Sequence, residues 1–334
     1  MDSTLVTGAT GLVGYHIVQA LLQRGRRVKA LVRSIDKGKS LLPKVCDLVQ
    51  GDITDQASVL RAMEECSVVY HAAGIPEQWL LDPARFQEVN VGGTQNALDA
   101  ALVKGVQRFI YTSTFDVFAG QADHEFDESR LDPQPRGTYY ERSKQVADQQ
   151  VVAAVQRGLP VIFLHPSAVY GPGPASSPGV NALIAQLQQG RLPALPPGGF
   201  AMVFAPDVGE GHVLAEEHAA IGSRYILSES YCTLGELAQT VQAELGLQKQ
   251  PPPTIPLPVA RGIAAIGEWV AQFTHRPPLI AKGALCFLQW QAYPRSEKAQ
   301  RELGWKPTPL REGVRKTLAF LNRQSRSNAA TGKL

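Results

Sequence analysis

Short apolar runs recur along the first half of the chain, separated by stretches with helical spacing. Leu5 and Val6 form the first run, and residues 28–32 (VKALV), Leu48 with Val49, 68–71, 109–111 and 161–164 follow it. Each is short enough to be a buried strand. Between them, Leu12, Val13, Ile17, Ala20 and Leu21 repeat at three and four, and so do Ala57, Leu60 and Met63 within 56–65. Residues 89–104 and 139–157 continue the pattern as longer helices, the second carrying Val146, Val151, Val152 and Val155. Strands alternating with helices predict an α/β fold with a doubly wound parallel sheet.

The pattern changes after His165. Pro and Gly crowd 166–179 and 193–199, and helices are predicted at 181–189, 234–245, 257–273, 279–289 and 311–321. The expected division is a Rossmann core over 1–165 with return segments near 200–228, where 225–227 adds one more strand. A smaller, mostly helical lobe covers 166–322, and a polar tail over 323–334 is expected to be unordered. The apolar stretch 257–273 is interrupted by Arg261 and Glu268 and flanked by prolines, so it reads as a buried or groove-lining helix and not a membrane span.

The net charge of +3 over 334 residues is too small to point to nucleic acid or an anionic membrane surface as the main partner. Cys46, Cys66, Cys232 and Cys286 are scattered, with no C-x-x-C pair, which argues against a zinc site or disulfide scaffold and fits reduced thiols. With the first glycine motif beginning at once and no leader pattern ahead of it, a cytoplasmic location is expected.

That motif is TGATGLVG, residues 7–14. Gly8, Gly11 and Gly14 sit between an apolar strand and a helix. There they permit a tight turn, close approach of backbone to a pyrophosphate, and close packing of helix on strand. The following helix offers unpaired N–H groups to phosphate. Farther on, Tyr140 and Lys144 are one helical turn apart on one face. A phenol ionises near 10, and a cation held beside it favours the phenolate, which suits proton exchange with a carbonyl or alcohol. Alone, such a pair is a common helix-surface feature. Tyr111, Thr112, Ser113 and Thr114 close the fifth strand, however, and the carboxyl ends of parallel strands are where ligands bind.

Together these segments resemble the extended short-chain dehydrogenase/reductase family over nearly the whole chain. TGATGLVG is similar to its phosphate turn, where Thr7, Gly8, Thr10, Gly11, Leu12, Val13 and Gly14 would line the cofactor. GDITD resembles the adenine segment, with Asp52 accepting from the adenine amino group and Ile53 packing on the ring. HAAG (His71, Ala72, Ala73, Gly74) resembles the loop lying along the cofactor. Asn90 in VNVGGTQN would steady the active site, Thr112 would contact the cofactor, and HPSAVYGPG, with His165, Pro166, Ala168 and Val169, would border the nicotinamide and substrate. PDVGEGHVLA resembles a stretch closing the substrate lobe, and LGWKPTPLREGVRKTL the final segment. The resemblance implies Tyr140 as proton donor or acceptor. Lys144 would lower its pKa and hold the ribose, and Thr114 would be the catalytic hydroxyl, with Ser113 the near alternative. Two departures, His165 for Arg and Phe118 for Tyr, leave the substrate contacts at those positions open.

Dinucleotide sites that take NAD place an acid at the end of the second strand, whereas this chain has Val32 followed by Arg33, which suits a 2′-phosphate. NADP(H) is therefore the expected cofactor, with NAD(H) possible. Trp79, Phe86, Phe115, Phe118, Val169, Tyr170 and Phe204 are the candidate apolar pocket, and 196–207 (PPGGFAMVFAPD) carries no base for a sugar diphosphate. This favours a reductase of a ketone or aldehyde on an apolar small molecule, similar to dihydroflavonol reductases and 3β-hydroxysteroid dehydrogenases. The alternatives are a nucleotide-sugar epimerase or dehydratase with tightly held NAD, and a cofactor-binding sensor without turnover. A homodimer through the helices beginning near Val89 and Tyr139 is also expected, with Ala97, Ala101 and Ala147 either at that contact or against their own sheet.

Overall fold

The structure, a computed structural model, describes residues 3–173 and 179–330. Residues 174–178, within the Pro/Gly-rich stretch, and 331–334, at the end of the expected tail, lie outside the described residues.

The chain opens with β1 (Ser3–Thr7), α1 (Leu12–Gln23), β2 (Val28–Val32), α2 (Ile35–Leu41), β3 (Asp47–Gln50), α3 (Gln56–Ala62) and β4 (Cys66–His71). A short α4 (Ala84–Phe86) then passes through a π-helical turn (Gln87–Gly92) into α5 (Gly93–Lys104). The core continues with β5 (Arg108–Thr112), a two-residue β6 (Glu125–Phe126), α6 (Tyr139–Gln156) and β7 (Val161–Pro166). Beyond it come β8 (Ala168–Tyr170), α7 (Val180–Gln188), β9 (Gly199–Phe204), α8 (Ala205–His218), β10 (Arg224–Leu227), β11 (Ser230–Thr233) and α9 (Leu234–Glu244). The last elements are α10 (Leu257–Thr274), α11 (Lys282–Gln289), β12 (Tyr293–Pro294), α12 (Glu297–Leu303) and α13 (Leu310–Ala330).

Seven strands form one sheet in the order β10-β7-β5-β4-β1-β2-β3, and every pairing in it is parallel. The chain leaves β1 in one direction and returns at β4 in the other, so a crevice opens between the carboxyl ends of these two strands. Strand side chains alternate between faces. Val6, Ile110, Ile162 and Leu164 join α1, α8 and Trp305 in one core, while Leu5, Phe109, Tyr111, Val161 and Phe163 join α3, α5 and α6 in the other. Ala97, Ala101 and Ala147 are fully buried in the second core, which places them against their own sheet. A third core, with Tyr170, Ile184, Phe204, Leu237 and Val314, holds the carboxy-terminal lobe around the small β11-β9-β8 sheet.

Three readings of the sequence differ from what is seen. The PDVGEGHVLA stretch is α8, and it packs on α1 beside the main sheet, where Gly209 lies against His16 and Gly211 against Leu227. Its two glycines hid the helix, because they are poor helix formers and here permit close packing. The helix α13 runs to Ala330, into the segment expected as a tail. Finally, α10 is not a buried helix: among its residues only Ala260, Ala264 and Ala271 are buried.

Candidate active site

The glycine turn is shaped by backbone contact. Gly8 has φ +70°, and a Cβ there would come within 2.5 Å of Ala72 O, so the turn lies directly on the loop after β4. A Cβ on Gly14 would overlap Gly8 O, which draws the start of α1 onto the turn. Gly11 N-caps α1 without a side-chain cap, leaving the first N–H groups of Leu12 and Val13 facing the crevice. A dinucleotide pyrophosphate fits this cradle.

Behind the turn, Thr7 and His71 form a sealed relay. Thr7 Oγ1 accepts from Ala73 N (3.2 Å) and lies 2.9 Å from His71 Nδ1. His71 Nε2 lies 3.1 Å from Thr94 Oγ1, which itself donates to Asn90 O (2.6 Å). The Thr94 proton is thus committed, so Nε2 carries the histidine proton and Nδ1 accepts from Thr7. Burial lowers the His71 pKa to about 3, and Lys144 adds to this, so the ring is neutral. His71, expected along the cofactor, braces the loop that carries Ala72, Ala73 and Gly74.

At the far end of the nucleotide crevice, Asp52 Oδ1 accepts from Thr54 N (2.9 Å) and Thr54 Oγ1 (2.8 Å). Burial pushes its carboxyl up, but these bonds and the Arg33 and Arg85 charges hold it below its usual range. Ile53 packs under Gly93, and its carbonyl accepts from Asn96 Nδ2 (2.9 Å). Between this segment and the glycine turn lies a cleft of about 210 Å³ lined by Thr10, Val32, Arg33, Ser34 and Lys37. Two cations and two hydroxyls suit an anion there. Lys37 escaped the sequence reading, although its position one turn beyond Arg33 at a strand-to-helix junction is a usable signal.

The residues expected to be catalytic sit at the carboxyl end of β5 and the start of α6. The helix begins with a capping box, in which Thr138 N donates to Glu141 Oε2 (2.9 Å) and Glu141 N to Thr138 Oγ1 (3.1 Å). Asn90, in the π-helical turn, clamps the same region. It accepts from Ile75 N (2.7 Å) and donates to Ser143 Oγ (2.9 Å), and Ser143 in turn donates to Tyr140 O (2.6 Å). Such turns often mark functional sites. Tyr140 is half-buried, with Phe86 edge-on at 6.4 Å.

The two candidate hydroxyls have different fates. Ser113 is buried and donates to Asp148 Oδ1 (3.1 Å), which is also held by Arg224 through Nη1 (3.0 Å) and Nη2 (2.8 Å). Thr114 lies beside the Tyr140 phenol, donates to Asp116 Oδ2 (2.8 Å) and accepts from Asp116 N (3.4 Å). Of the two, only Thr114 is beside the phenol. Lys144 Nζ donates to Thr112 O (2.9 Å) and sits over the Tyr111 ring. Burial lowers its pKa to about 8, opposed by Asp148.

The expected lowering of the Tyr140 phenol by Lys144 is not found in this arrangement. Burial raises it, and the carboxyls of Asp116, Glu141 and Glu77 add to the rise, with the Thr114 hydroxyl opposing. The reason is local: the ammonium is directed to the Thr112 carbonyl, and the carboxyls act on the phenol instead. A raised phenol keeps its proton, which is the state a proton donor needs.

Asp116 was not anticipated. It is buried, its Oδ1 has no hydrogen-bond partner among the described residues, and burial with the nearby Glu141 raises its pKa to about 7 against the pull of Thr114 and Arg136. The TSTFD sequence places a carboxyl two residues after the hydroxyl, a spacing that allows this local bond.

Several expected contacts lie elsewhere. His165 is fully buried, with Nε2 accepting from Arg224 (3.2 Å) and Nδ1 donating to Thr114 O (3.1 Å), so it supports Thr114 from behind. The Thr112 hydroxyl bonds His212 at 2.9 Å. Phe118 is buried with Val117 and Ile226, and Tyr170 and Phe204 belong to the core of the carboxy-terminal lobe. Pro166 is buried in β7, whereas Ala168 and Val169 are half-buried beside it. Phe115 alone opens a wider aromatic group, with Trp290 at 5.4 Å, Phe287 at 6.0 Å and Phe126 at 6.3 Å. Trp79 lies half-buried in the loop after β4, next to Gln78, against whose carbonyl Gly283 of α11 packs. Phe287 and Trp290 come from α11 and its end, far away in sequence, and no local signal marks them.

Residues 4–227 match the model of the NAD dependent epimerase/dehydratase family. The chain is 31% identical to sterol demethylase protein B of Methylococcus capsulatus, over 95% of this chain and 98% of that one. It is 29% identical to the 4-hydroxy-2-methyl-3-oxo-4-farnesyl-3,4-dihydroquinoline-1-oxide ketoreductase of Stigmatella aurantiaca, over 90% of this chain and 91% of that one. The crystal structure of gox2253 superposes with a TM-score of 0.84 at 30% identity, covering 98% of this chain and 99% of that chain. With the glycine cradle, the parallel sheet and the Tyr140 and Lys144 helix in place, the chain belongs to the NAD-dependent epimerase/dehydratase family of extended short-chain dehydrogenases/reductases and is an NAD(P)-dependent oxidoreductase.

Proposed function

We propose that the protein is an NADP(H)-dependent reductase, or the reverse dehydrogenase, of a ketone or aldehyde on a fairly apolar substrate. The meeting of Thr114 with the Tyr140 phenol, and the aromatic group that Phe115, next in the chain to Thr114, forms with Phe287 and Trp290, carry this reading. The nicotinamide, when bound, supplies or accepts the hydride. The Tyr140 phenol donates a hydrogen bond and then its proton to the substrate oxygen, and Thr114 holds the same oxygen. Lys144 fixes the floor of the site through Thr112 and would meet the ribose. Arg33, Lys37 and Thr10 would hold the 2′-phosphate.

Asp116 sets the direction of the Thr114 hydroxyl in this scheme. As a carboxylate it accepts a hydrogen bond from the Thr114 hydroxyl, and as an acid it donates to Thr114 Oγ1 and frees the threonine O–H to turn toward the substrate. The farnesyl-quinoline ketoreductase, whose name specifies carbonyl reduction on an apolar molecule, supports the same reading.

The test is NADPH consumption over aryl ketones, steroid ketones and β-keto acyl compounds, with UDP- and dTDP-sugars run in parallel for epimerisation. We expect turnover in the ketone set, and Tyr140→Phe to cut kcat by roughly 10²- to 10⁴-fold with NADPH binding intact. Turnover of nucleotide sugars alone would reverse the reading in favour of an epimerase. NADPH binding without any turnover would favour a sensor.

A further inference from the structure

Thr114, Phe115 and Asp116 bring the candidate hydroxyl, an aromatic ring and a buried carboxyl together in consecutive residues. The chain here leaves the main sheet after β5, makes one short 3₁₀ turn over Phe115–Val117 and runs on irregularly, so its backbone groups must be met from outside the sheet. The carbonyls of alternate residues, Asp116, Phe118 and Gly120, all accept from side chains. Arg136 donates through Nε to Asp116 O (3.0 Å) and through Nη2 to Phe118 O, and Trp290 donates through Nε1 to Gly120 O (3.3 Å).

The two donors also touch each other. The Arg136 guanidinium lies 4.1 Å from the centre of the Trp290 ring, and that ring lies near-parallel to Phe115, 5.4 Å away at 17°. Arg136 is itself held: its Nε is 3.2 Å from Asp132 Oδ2, its side chain is only 14% exposed, and its backbone N donates to Gln145 Oε1 of α6 (2.9 Å). A guanidinium suits this place and an ammonium does not, because a planar fork can serve two carbonyls and still lay a flat face on an indole. Trp290 closes α11, so the contact joins the carboxy-terminal lobe to the residues just after Thr114. The Arg136 charge also reaches the Asp116 carboxyl, where Glu141 of α6 opposes it and the Thr114 hydroxyl assists it. The Tyr140 phenol lies within the field of the same carboxyl.

We infer that Arg136 is a positioning residue of the active site: stacked on Trp290, it clamps the segment 116–120 and keeps Asp116 where it governs the Thr114 hydroxyl. The inference rests on the proposed roles of Thr114 and Asp116, and adds the residue that sets them. Arg136 touches no reacting atom in this scheme. Its hydrogen bonds to the backbone of Asp116 and Phe118 fix where the hydroxyl sits. Its charge favours the carboxylate form of Asp116, and so limits the pH range over which the threonine O–H is free for the substrate.

The test compares Arg136→Lys, which keeps the charge and loses the fork, with Arg136→Gln, which loses both. Ketone reduction and urea unfolding are followed across about pH 5–9. We expect both variants to lose roughly ten- to a hundredfold in kcat, with the Kd for NADPH within about twofold of the parent. Only Arg136→Gln should move the alkaline fall in kcat, upward by about one pH unit, because Asp116 without the cation keeps its proton longer. Unfolding should agree: stability falls with rising pH up to about 7 in the parent and in Arg136→Lys, and should go on falling beyond it in Arg136→Gln. If neither Arg136 variant folds, Trp290→Phe, which keeps a ring and removes the donor to Gly120, should cost roughly two- to tenfold in kcat at an unmoved pH profile. Equal loss in both Arg136 variants, with the pH profile and the unfolding slope unmoved, would make Arg136 a structural residue and overturn the inference. So would parental kcat in Arg136→Gln or in Trp290→Phe. A parent that turns over no ketone would strike the reductase reading instead. The unfolding slopes would then decide the clamp on Asp116, and an unmoved slope in Arg136→Gln would overturn it.

Discussion

The two ends of the crevice are built by different physics. At the nucleotide end the shape comes from backbone against backbone: Gly8 on Ala72, Gly14 on Gly8, and a neutral His71 between Thr7 and Thr94. At the catalytic end it comes from buried charge. Asp148 lies between Arg224, Ser113 and the field of Lys144, and Asp116 lies between Thr114, Glu141 and Arg136. The first end should therefore tolerate charge changes and not added volume, and the second should tolerate volume better than loss of a charge.

The sharpest way to break this contrast is Asp148→Asn. It preserves shape and removes the carboxylate from a pair whose side chains are 14% and 3% exposed. Arg224 is then left as an uncompensated buried cation, and the loss should be about 3–5 kcal/mol in urea unfolding. A cost below about 1 kcal/mol would mean that the catalytic end is held by packing after all. Next in size is Gly14→Ala, whose Cβ has only backbone to displace. We expect about 1–3 kcal/mol of destabilisation and weaker binding of both NADPH and NADH in fluorescence titration. Wild-type binding and stability would show that the turn is looser than the contact implies.

The contrast also explains what could be read from the sequence. Backbone-built parts leave local marks: glycines at spacing three, apolar runs of strand length, and the helix carrying Tyr140 and Lys144 all foretold their structure. Charge-built parts are assembled over long separations. Arg224 reaches Asp148 across 76 positions and His165 across 59, so nothing near either residue announces the network. For the same reason His165 and Phe118 read as ligand contacts and are fully buried, His165 against the Thr114 carbonyl and Phe118 against His165. The helix α8 was missed because Gly209 and Gly211 mask its period, and the outward face of α10 because an apolar stretch carries no sign of which side it turns inward.

Asp116 offers a subtler test, through pH. Its carboxyl is raised to about 7, so between about 4 and 7 the folded state holds a proton that the unfolded chain has released. Stability from this group is therefore lost as pH rises across that window and stays level above it. Asp116→Asn should flatten that slope and gain a few kcal/mol relative to the parent above pH 7, read from urea unfolding at several pH values. If Asp116 orients Thr114 as proposed, ketone reduction should also decline as pH passes about 7 in the parent and less so in the variant, whose amide always donates. Parallel profiles would remove Asp116 from the mechanism and leave it as a buried cost.

The smallest expected effect tests the one place where charge enters the nucleotide end. Arg33 and Lys37 face the 210 Å³ cleft beside Thr10, and Arg33 also acts on Asp52. If their role is to hold a 2′-phosphate, Arg33→Ala should raise the Kd for NADPH about tenfold, near 1.4 kcal/mol, and leave the Kd for NADH within about twofold. Lys37→Ala should act in the same direction and less strongly, because an ammonium lacks the paired geometry of a guanidinium. Added salt should narrow the difference between the two cofactors in the parent and do little in Arg33→Ala. Equal weakening for NADPH and NADH would mean that Arg33 serves the Asp52 loop. The nucleotide end would then be shaped by backbone alone, and the preference for NADP(H) would fall with it.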